Sequence, residues 1–118
     1  MPPDPGAMTL QVDAVDARTT LVAIGGEVTF SNVNGLGLEL AEALEGGARN
    51  LVVDLTEVAF IDSSGLSALL TASAAARERG GSLALVHGAQ PPPIFRFRGV
   101  ERLLALYATR EAALAGLR

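Results

Sequence analysis

The sequence predicts an α/β domain: a mixed β-sheet of four or five strands with helices packed mainly on one side. Segments with the two-residue period of strands alternate with segments of helical period, in the order β-β-α-β-α-β-(α)-β-α. The first two strand segments are separated only by a short polar turn, which indicates an antiparallel pair. With 118 residues, 49% of them hydrophobic, the chain is long and apolar enough to form one such domain.

The N-terminal part contains the antiparallel pair. Residues 1–7 are rich in proline and show no periodicity, so we expect a flexible tail followed by a single domain over residues 8–118. Polar and apolar residues alternate over residues 9–14, which predicts a half-buried strand. The apolar run 20–24 predicts a second strand that ends at Gly25-Gly26.

In the middle of the sequence, one predicted helix precedes a buried strand and a second helix follows it. Ser31-Asn32 offers an N-cap for the first helix, which Gly46-Gly47 ends. The almost continuous apolar run 51–55 predicts a strand that is covered on both faces. We expect a loop to lead from this strand to the second helix, which begins near Ser63 and ends at Gly80-Gly81.

The C-terminal part contains two shorter strands and a final helix. Residues 82–87 form an apolar strand, and the three prolines 91–93 form a stiff connector. We expect one helical turn over residues 94–98 and a last strand over residues 103–107. Thr109 is placed to cap the final helix.

Composition excludes several classes of function. The chain has no cysteine and no lysine, and His87 is its one histidine, so a multi-histidine or thiolate metal site and lysine chemistry are excluded. The net charge of −4 argues against direct nucleic-acid binding. The sequence predicts neither a membrane-spanning helix nor a signal peptide. We therefore expect a cytoplasmic protein with no metal and no cofactor, and a monomer as the default for a domain of this size.

The most informative segment is Asp62-Ser63-Ser64-Gly65, which stands where the second helix begins. One interpretation is a plain helix cap, because Asp and Ser oxygens accept hydrogen bonds from free backbone N–H groups. Two adjacent hydroxyls exceed what a cap needs, and Gly65 weakens the first helical turn, which indicates a close approach by another group. The second interpretation is a phosphorylation site, since the N-terminal end of a helix tolerates a phosphate charge.

This segment also carries a resemblance to a known family. Ile61-Asp62-Ser63-Ser64-Gly65-Leu66, after the strand 51–55, resembles the signature of bacterial anti-sigma factor antagonists of the STAS-domain family. Gly26-Glu27-Val28 resembles the Gly-Glu-Leu-Asp turn that follows the second strand in that family, and residues 100–114 resemble its C-terminal end. The resemblance covers nearly all of residues 8–118.

The resemblance implies a regulatory binding protein that is not an enzyme. Its unphosphorylated form would bind an anti-sigma factor, a serine kinase of the GHKL type, and release the sigma factor. Phosphorylation of Ser63 by that kinase would end binding, and a phosphoserine phosphatase would reset the cycle. The partner would dock on these residues: Gly26, Glu27, Asp62, Ser64, Gly65 and Leu66.

The sequence departs from the family pattern at three places. Thr29 stands where the family has the aspartate of Gly-Glu-Leu-Asp, so one polar contact to the partner is missing or replaced. Ser67 replaces a glycine that often follows the Asp-Ser-Ser-Gly-Leu run. The segment 91–99 is shorter than usual and rich in proline, which affects the small third helix.

Two other functions are compatible with parts of the pattern. One is a STAS module of a stressosome-like scaffold or a lipid-transport complex, without a phospho-switch. The other is a serine hydrolase, but Ile61 stands where the Gly-x-Ser-x-Gly elbow needs its first glycine.

Asp54 in the buried strand is expected to have a structural role, meeting an arginine or capping a turn. The cluster Arg96, Arg98 and Arg102 is expected to be a solvated face.

Overall fold

The computed structural model describes residues 7–96 and 99–117 and confirms the predicted class and element order. The five strands are β1 (Met8–Ala14), β2 (Thr19–Val28), β3 (Asn50–Ile61), β4 (Leu83–Val86) and β5 (Ala105–Tyr107). The helices are α1 (Val33–Glu45), α2 (Ser63–Glu78), α3 (Val100–Leu103) and α4 (Arg110–Gly116), with a 3-10 turn at Pro93–Arg96. The strands form one sheet in the order β1-β2-β3-β4-β5, in which β1 is antiparallel to β2 and every other neighbouring pair is parallel.

Helices cover the two faces of this sheet unequally. Successive side chains of a strand point to opposite faces, so β3 contributes to two cores. Leu51 and Val53 join the main core, which α1 and α2 cover. Val52, on the opposite face, packs with Ala113 of α4 in a smaller cluster. The prediction that helices lie mainly on one side is confirmed, and α4 is the helix on the other side.

The second half of β3 corrects the prediction of a loop between residue 55 and the second helix. Residues Thr56–Ile61 continue the strand and pair with the end of β2. β4 pairs with β3 only as far as Asp54, so this second half is paired on one side alone and most of its side chains are exposed. Thr56 and Glu57 interrupt the apolar sequence where the register between β2 and β3 shifts, so residues 51–61 do not read as one continuous strand.

The predicted end of the second strand at Gly25-Gly26 is also wrong, because β2 continues to Val28. Gly26 has a φ of 84°, a conformation that favours glycine, and a Cβ atom there would collide with the carbonyl oxygen of Ala7. The two glycines therefore let β1 start close beside β2. Strand β1 itself is half-buried only near its start, since its residues beyond Leu10 are exposed.

Three further boundaries differ from the expectations. Asn32 occupies the N-cap position of α1 without a capping hydrogen bond from its side chain, which instead bonds the main chain of Thr29 and Glu27. The last strand begins at Ala105, because Leu103 ends α3. The predicted turn over residues 94–98 is a 3-10 turn over Pro93–Arg96, and its last two residues, 97 and 98, lie outside the described ranges. The predicted cap of α4 is confirmed, since Thr109 Oγ1 accepts from the Ala112 N–H at 3.1 Å.

Some expectations fall on residues outside the described ranges. The predicted tail 1–7 lies there except for Ala7, and Arg98 of the expected basic cluster lies there as well. The other two members of that cluster, Arg96 and Arg102, are exposed, as expected for a solvated face.

Asp54 has the structural role that the sequence indicated. Its carboxylate is buried, accepts from the Thr56 N–H at 2.8 Å and is bonded by the Arg110 guanidinium at the start of α4. Burial by itself raises the pKa of this carboxyl, but the Thr56 N–H and Arg110 outweigh it, so the pKa lies below its ordinary value. The ion pair thus ties α4 to the centre of the sheet, 56 residues away in the chain.

A second close contact joins the first turn of α2 to the ends of β2 and β3. A Cβ atom at Gly65 would lie 2.5 Å from Ile61 Cγ1 and 2.9 Å from Val28 Cγ1. Both neighbours are buried, so neither side chain has free space to move into. The close approach that the sequence indicated for Gly65 is therefore made by the protein's own core.

We predict that Asp54→Asn lowers the free energy of unfolding at pH 7 by about 1.5–3 kcal/mol, the range for hydrogen bonds to charged groups. Because the folded pKa of Asp54 is depressed, its stabilisation is complete above the unfolded pKa of about 3.9 and is lost as the pH falls through the folded value. Urea unfolding of both proteins should therefore show a gap at pH 7 that shrinks below about pH 4. Asp13→Asn, on the exposed part of β1, is the control. An equal gap at pH 7 and pH 3 would contradict the assignment.

We predict opposite signs for two glycine-to-alanine substitutions in helices. Gly37→Ala in α1 should raise the free energy of unfolding by about 1 kcal/mol, because alanine favours a helix and its Cβ would meet nothing within 4 Å. Gly65→Ala brings the same helical gain, but overpacking costs about 1–3 kcal/mol and should make the net effect destabilising. Chemical unfolding of the two variants measures the difference. A stabilising Gly65→Ala would show that α2 can shift at no cost.

Candidate functional site

Asp62 lies between the last residue of β3 and the first residue of α2 and caps that helix. Its Oδ1 accepts from the N–H groups of Ser64 at 2.9 Å and Gly65 at 3.2 Å. Its own N–H donates to the carbonyl of Val28 at 3.1 Å, which holds it against the end of β2. The interpretation of Asp62 as a helix cap is therefore confirmed.

The second carboxylate oxygen of Asp62 makes a contact that the sequence does not indicate. Oδ2 accepts from the N–H of Phe30 at 3.1 Å, across 32 residues of sequence. Phe30 lies in the loop between β2 and α1, and its side chain is 83% exposed. In the sequence, the one sign that Phe30 is unusual is its position between the polar residues Thr29 and Ser31. No pattern among its sequence neighbours relates it to Asp62.

The two serines after Asp62 differ in accessibility. Ser63 is the first residue of α2 and is exposed, whereas Ser64 is half-buried. Ser64 lines the end of a groove of about 630 Å³ between α1 and α2, whose other lining residues are also uncharged. An incoming protein can therefore reach Ser63 more readily than Ser64.

The structure brings the two predicted docking segments to the same end of the sheet. Gly26 and Glu27 are half-buried and belong to β2, so the predicted turn at this position is a strand. Glu27 pairs with Phe60 and Val28 pairs with Ile61, which places Glu27 beside the end of β3. Of the residues after Ser64, Gly65 is buried and Leu66 is half-buried against the main core. Gly26 and Gly65 shape this end of the sheet through their backbone rather than through side chains.

The start of α2 offers few free donors to a phosphate. Asp62 already accepts from the N–H groups of Ser64 and Gly65. The main-chain carbonyl of Asp62 also accepts a hydrogen bond from the Leu66 N–H at 3.1 Å. A phosphate on Ser63 would therefore add its charge beside a carboxylate that already occupies the terminus.

This end of the molecule carries acidic side chains and lacks basic ones nearby in sequence. Residues 19–48 and 50–76 contain no arginine or lysine, whereas Glu27, Glu57 and Asp62 all lie in them.

Within residues 7–96 and 99–117, no group of three His, Asp or Glu side chains is arranged to hold a metal ion. His87 follows β4, and its Nδ1 lies 2.7 Å from the Gly88 carbonyl oxygen. In the same described ranges, no helix combines the length and apolarity required to cross a membrane.

Comparison with known proteins agrees with this architecture. A family model described as "Mlab, STAS domain" matches residues 10–114. BtrV of Bordetella bronchiseptica, a candidate anti-sigma factor antagonist, is 29% identical over 112 residues, which are 94% of this chain and 96% of BtrV.

Solved structures show the same fold. The crystal structure of an anti-sigma factor antagonist from Mycobacterium paratuberculosis is similar with a TM-score of 0.82 and 25% identity, over 98% of this chain and 97% of that one. The Bacillus cell fate determinant SpoIIAA in its phosphorylated form has a TM-score of 0.71 and 22% identity, over 93% of this chain and all of SpoIIAA, and supports the fold alone. Because the family model matches residues 10–114, which is most of the chain, this protein belongs to the STAS domain family.

Proposed function

We propose that this protein, in its unphosphorylated form, binds an anti-sigma factor that is a GHKL-type serine kinase, and so releases the sigma factor. Phosphorylation of Ser63 by the same kinase ends binding, and a phosphoserine phosphatase restores the active form. The observation that carries this proposal is the exposed Ser63 side chain at the first position of α2, directly after the capping Asp62. The family and its named antagonists support the general role.

The phosphoryl step needs nothing from this chain except a reachable hydroxyl. Ser63 Oγ attacks the γ-phosphorus of ATP bound to the kinase, ADP leaves, and the serine proton passes to a base on the kinase. Ser63 meets this requirement because it is exposed. The adjacent Ser64 is half-buried, which favours Ser63 as the acceptor.

The docking surface consists of the residues around this hydroxyl. Ser64, Leu66 and Glu27 offer partly exposed side chains, and Asp62 holds the segment in place. Gly26 and Gly65 let β1 and α2 pack closely beneath it. The docking segments therefore lie on regular, hydrogen-bonded elements, so little conformational entropy is lost when a partner binds.

A phosphate acts on this surface mainly through charge and volume. It adds about 1.5 to 2 negative charges next to Asp62. Like charges at short range repel more strongly once a partner excludes water, because the local dielectric falls. The free protein keeps its phosphate in water and avoids most of this repulsion. We therefore propose that phosphorylation changes binding rather than folding. We further propose that the protein acts as a cytoplasmic monomer.

A second candidate is a STAS module of a larger assembly, such as a stressosome-like scaffold or a lipid-transport complex. The family model described as Mlab is the observation that favours it. Such a module would use the same end of the sheet for binding, without modification of Ser63. The kinase assay below separates the two candidates.

We predict that the cognate kinase and ATP place one phosphate on Ser63. Ser63→Ala should abolish the modification, while Ser64→Ala should still be modified because its Ser63 hydroxyl stays exposed. Mass spectrometry of the treated proteins locates the phosphate. Phosphate on Ser64 alone would overturn the choice of acceptor. The absence of any phosphate with a kinase that binds the protein would favour the scaffold candidate.

We predict that Ser63→Asp binds the kinase at least tenfold more weakly than the unmodified protein, a loss of about 1.4 kcal/mol. Ser63→Ala should bind normally and stay bound in the presence of ATP, since it cannot be modified. Calorimetric titration in ADP and in ATP measures both. Substitutions of this exposed residue should change the free energy of unfolding by no more than about 0.5 kcal/mol, which urea unfolding checks. Equal affinity of Ser63→Asp and the unmodified protein would refute the electrostatic switch.

A further inference from the structure

The loop between β2 and α1 is held in one conformation by its own hydrogen bonds. Asn32 Oδ1 accepts from the Thr29 N–H at 3.0 Å, and Asn32 Nδ2 donates to the Glu27 carbonyl at 2.8 Å. The N–H groups of Asn32 and Val33 both donate to the Thr29 carbonyl. Asp62 adds the bond to the Phe30 N–H from outside the loop. The loop is therefore fixed both internally and to the cap of α2.

This fixed loop presents an apolar side chain to solvent. Phe30 is 83% exposed, which makes it the most exposed large hydrophobic residue in the described ranges. The next two are Leu38 at 63% and Phe60 at 53%. Leu38 lines the groove that Ser64 also lines, and Phe60 stands two residues before Asp62. The three most exposed large hydrophobic side chains of the described ranges thus lie on β3, on α1 and on the loop between β2 and α1.

We propose that Phe30 is the apolar anchor by which this protein is recognised, and that it enters an apolar socket on the kinase that modifies Ser63. This inference rests on the proposed function and adds a residue that determines specificity. Aromatic residues, phenylalanine among them, are enriched in interfaces, and the few residues that dominate binding energy lie near the interface centre. A side chain held on a fixed backbone also loses little entropy when it is buried.

The position of Phe30 identifies the occupant. A standard interface covers about 800 Å² on each partner, which corresponds to a disc of roughly 16 Å radius. The Phe30 N–H lies 3.1 Å from the carboxylate of the residue next to Ser63. A kinase interface of this size around Ser63 therefore reaches the loop that carries Phe30. Thr29, next to Phe30, stands where the family has an aspartate. Residues 29–32 between β2 and α1 therefore carry no charged side chain.

The test compares two exposed apolar residues. We expect Phe30→Ala to weaken binding to the kinase by 10- to 100-fold, without lowering the melting temperature, because the side chain is exposed in the free protein. Leu103→Ala is the matched control, since Leu103 is 51% exposed on α3 beside the opposite edge strand β5. It should bind within twofold of the unmodified protein. The probes are the purified GHKL-type kinases of the source genome, loaded with ADP, titrated by calorimetry against the full chain.

The outcomes separate this inference from the proposed function. If the unmodified protein binds, Ser63→Asp weakens binding and Phe30→Ala binds within twofold, the anchor alone is overturned. Equal weakening by Phe30→Ala and Leu103→Ala also overturns it, because the effect would not be specific to this loop. If no such kinase binds or modifies the unmodified protein, the proposed function fails and the anchor fails with it. If sedimentation shows a dimer that Phe30→Ala dissociates, the occupant is a second copy and the assignment is wrong.

Discussion

The hydrogen bonds of the Asp62 carboxylate hold together the end of the molecule where α2 begins. One oxygen accepts hydrogen bonds from two N–H groups of α2, and the other accepts a hydrogen bond from the N–H of Phe30 in the loop after β2. One side chain therefore sets both where α2 begins and where the loop lies. Hydrogen bonds to a charged acceptor are stronger than neutral ones, so these three bonds hold the loop and the start of α2 firmly in place.

The packing beneath this carboxylate explains why the surface above it is firm. The parallel arrangement of β2 and β3 brings the ends of both strands to one edge, where Val28 and Ile61 are paired. Gly65 lets the first turn of α2 rest directly on these two side chains. At the other face, the pair of Asp54 and Arg110 attaches α4 to the middle of β3. The end of the sheet at Val28 and Ile61, where we propose that the partner docks, is thus supported by the core and left uncovered by α4.

The same geometry suits a switch that acts on binding. The terminus of α2 already has its anionic ligand in Asp62, so a phosphate on Ser63 would add repulsion there rather than a missing bond. An exposed hydroxyl can be modified without opening the fold. The surrounding acidic residues and the absence of nearby arginine mean that the added charge finds no cation close by in sequence.

Local periodicity in the sequence determined the element order, the mixed sheet, the cap at Asp62 and the start of α2, because each depends on neighbouring residues. It also marked Gly65 as a point of close approach and Asp54 as a buried carboxylate that needs partners. Only the tertiary structure decided what those partners are: Ile61 and Val28 for Gly65, and Arg110, 56 residues away, for Asp54. The same holds for the strand at Thr56–Ile61 and for the bond from Asp62 to Phe30. These features depend on pairing between distant segments, and periodicity along one segment carries no information about which distant segment lies beside it.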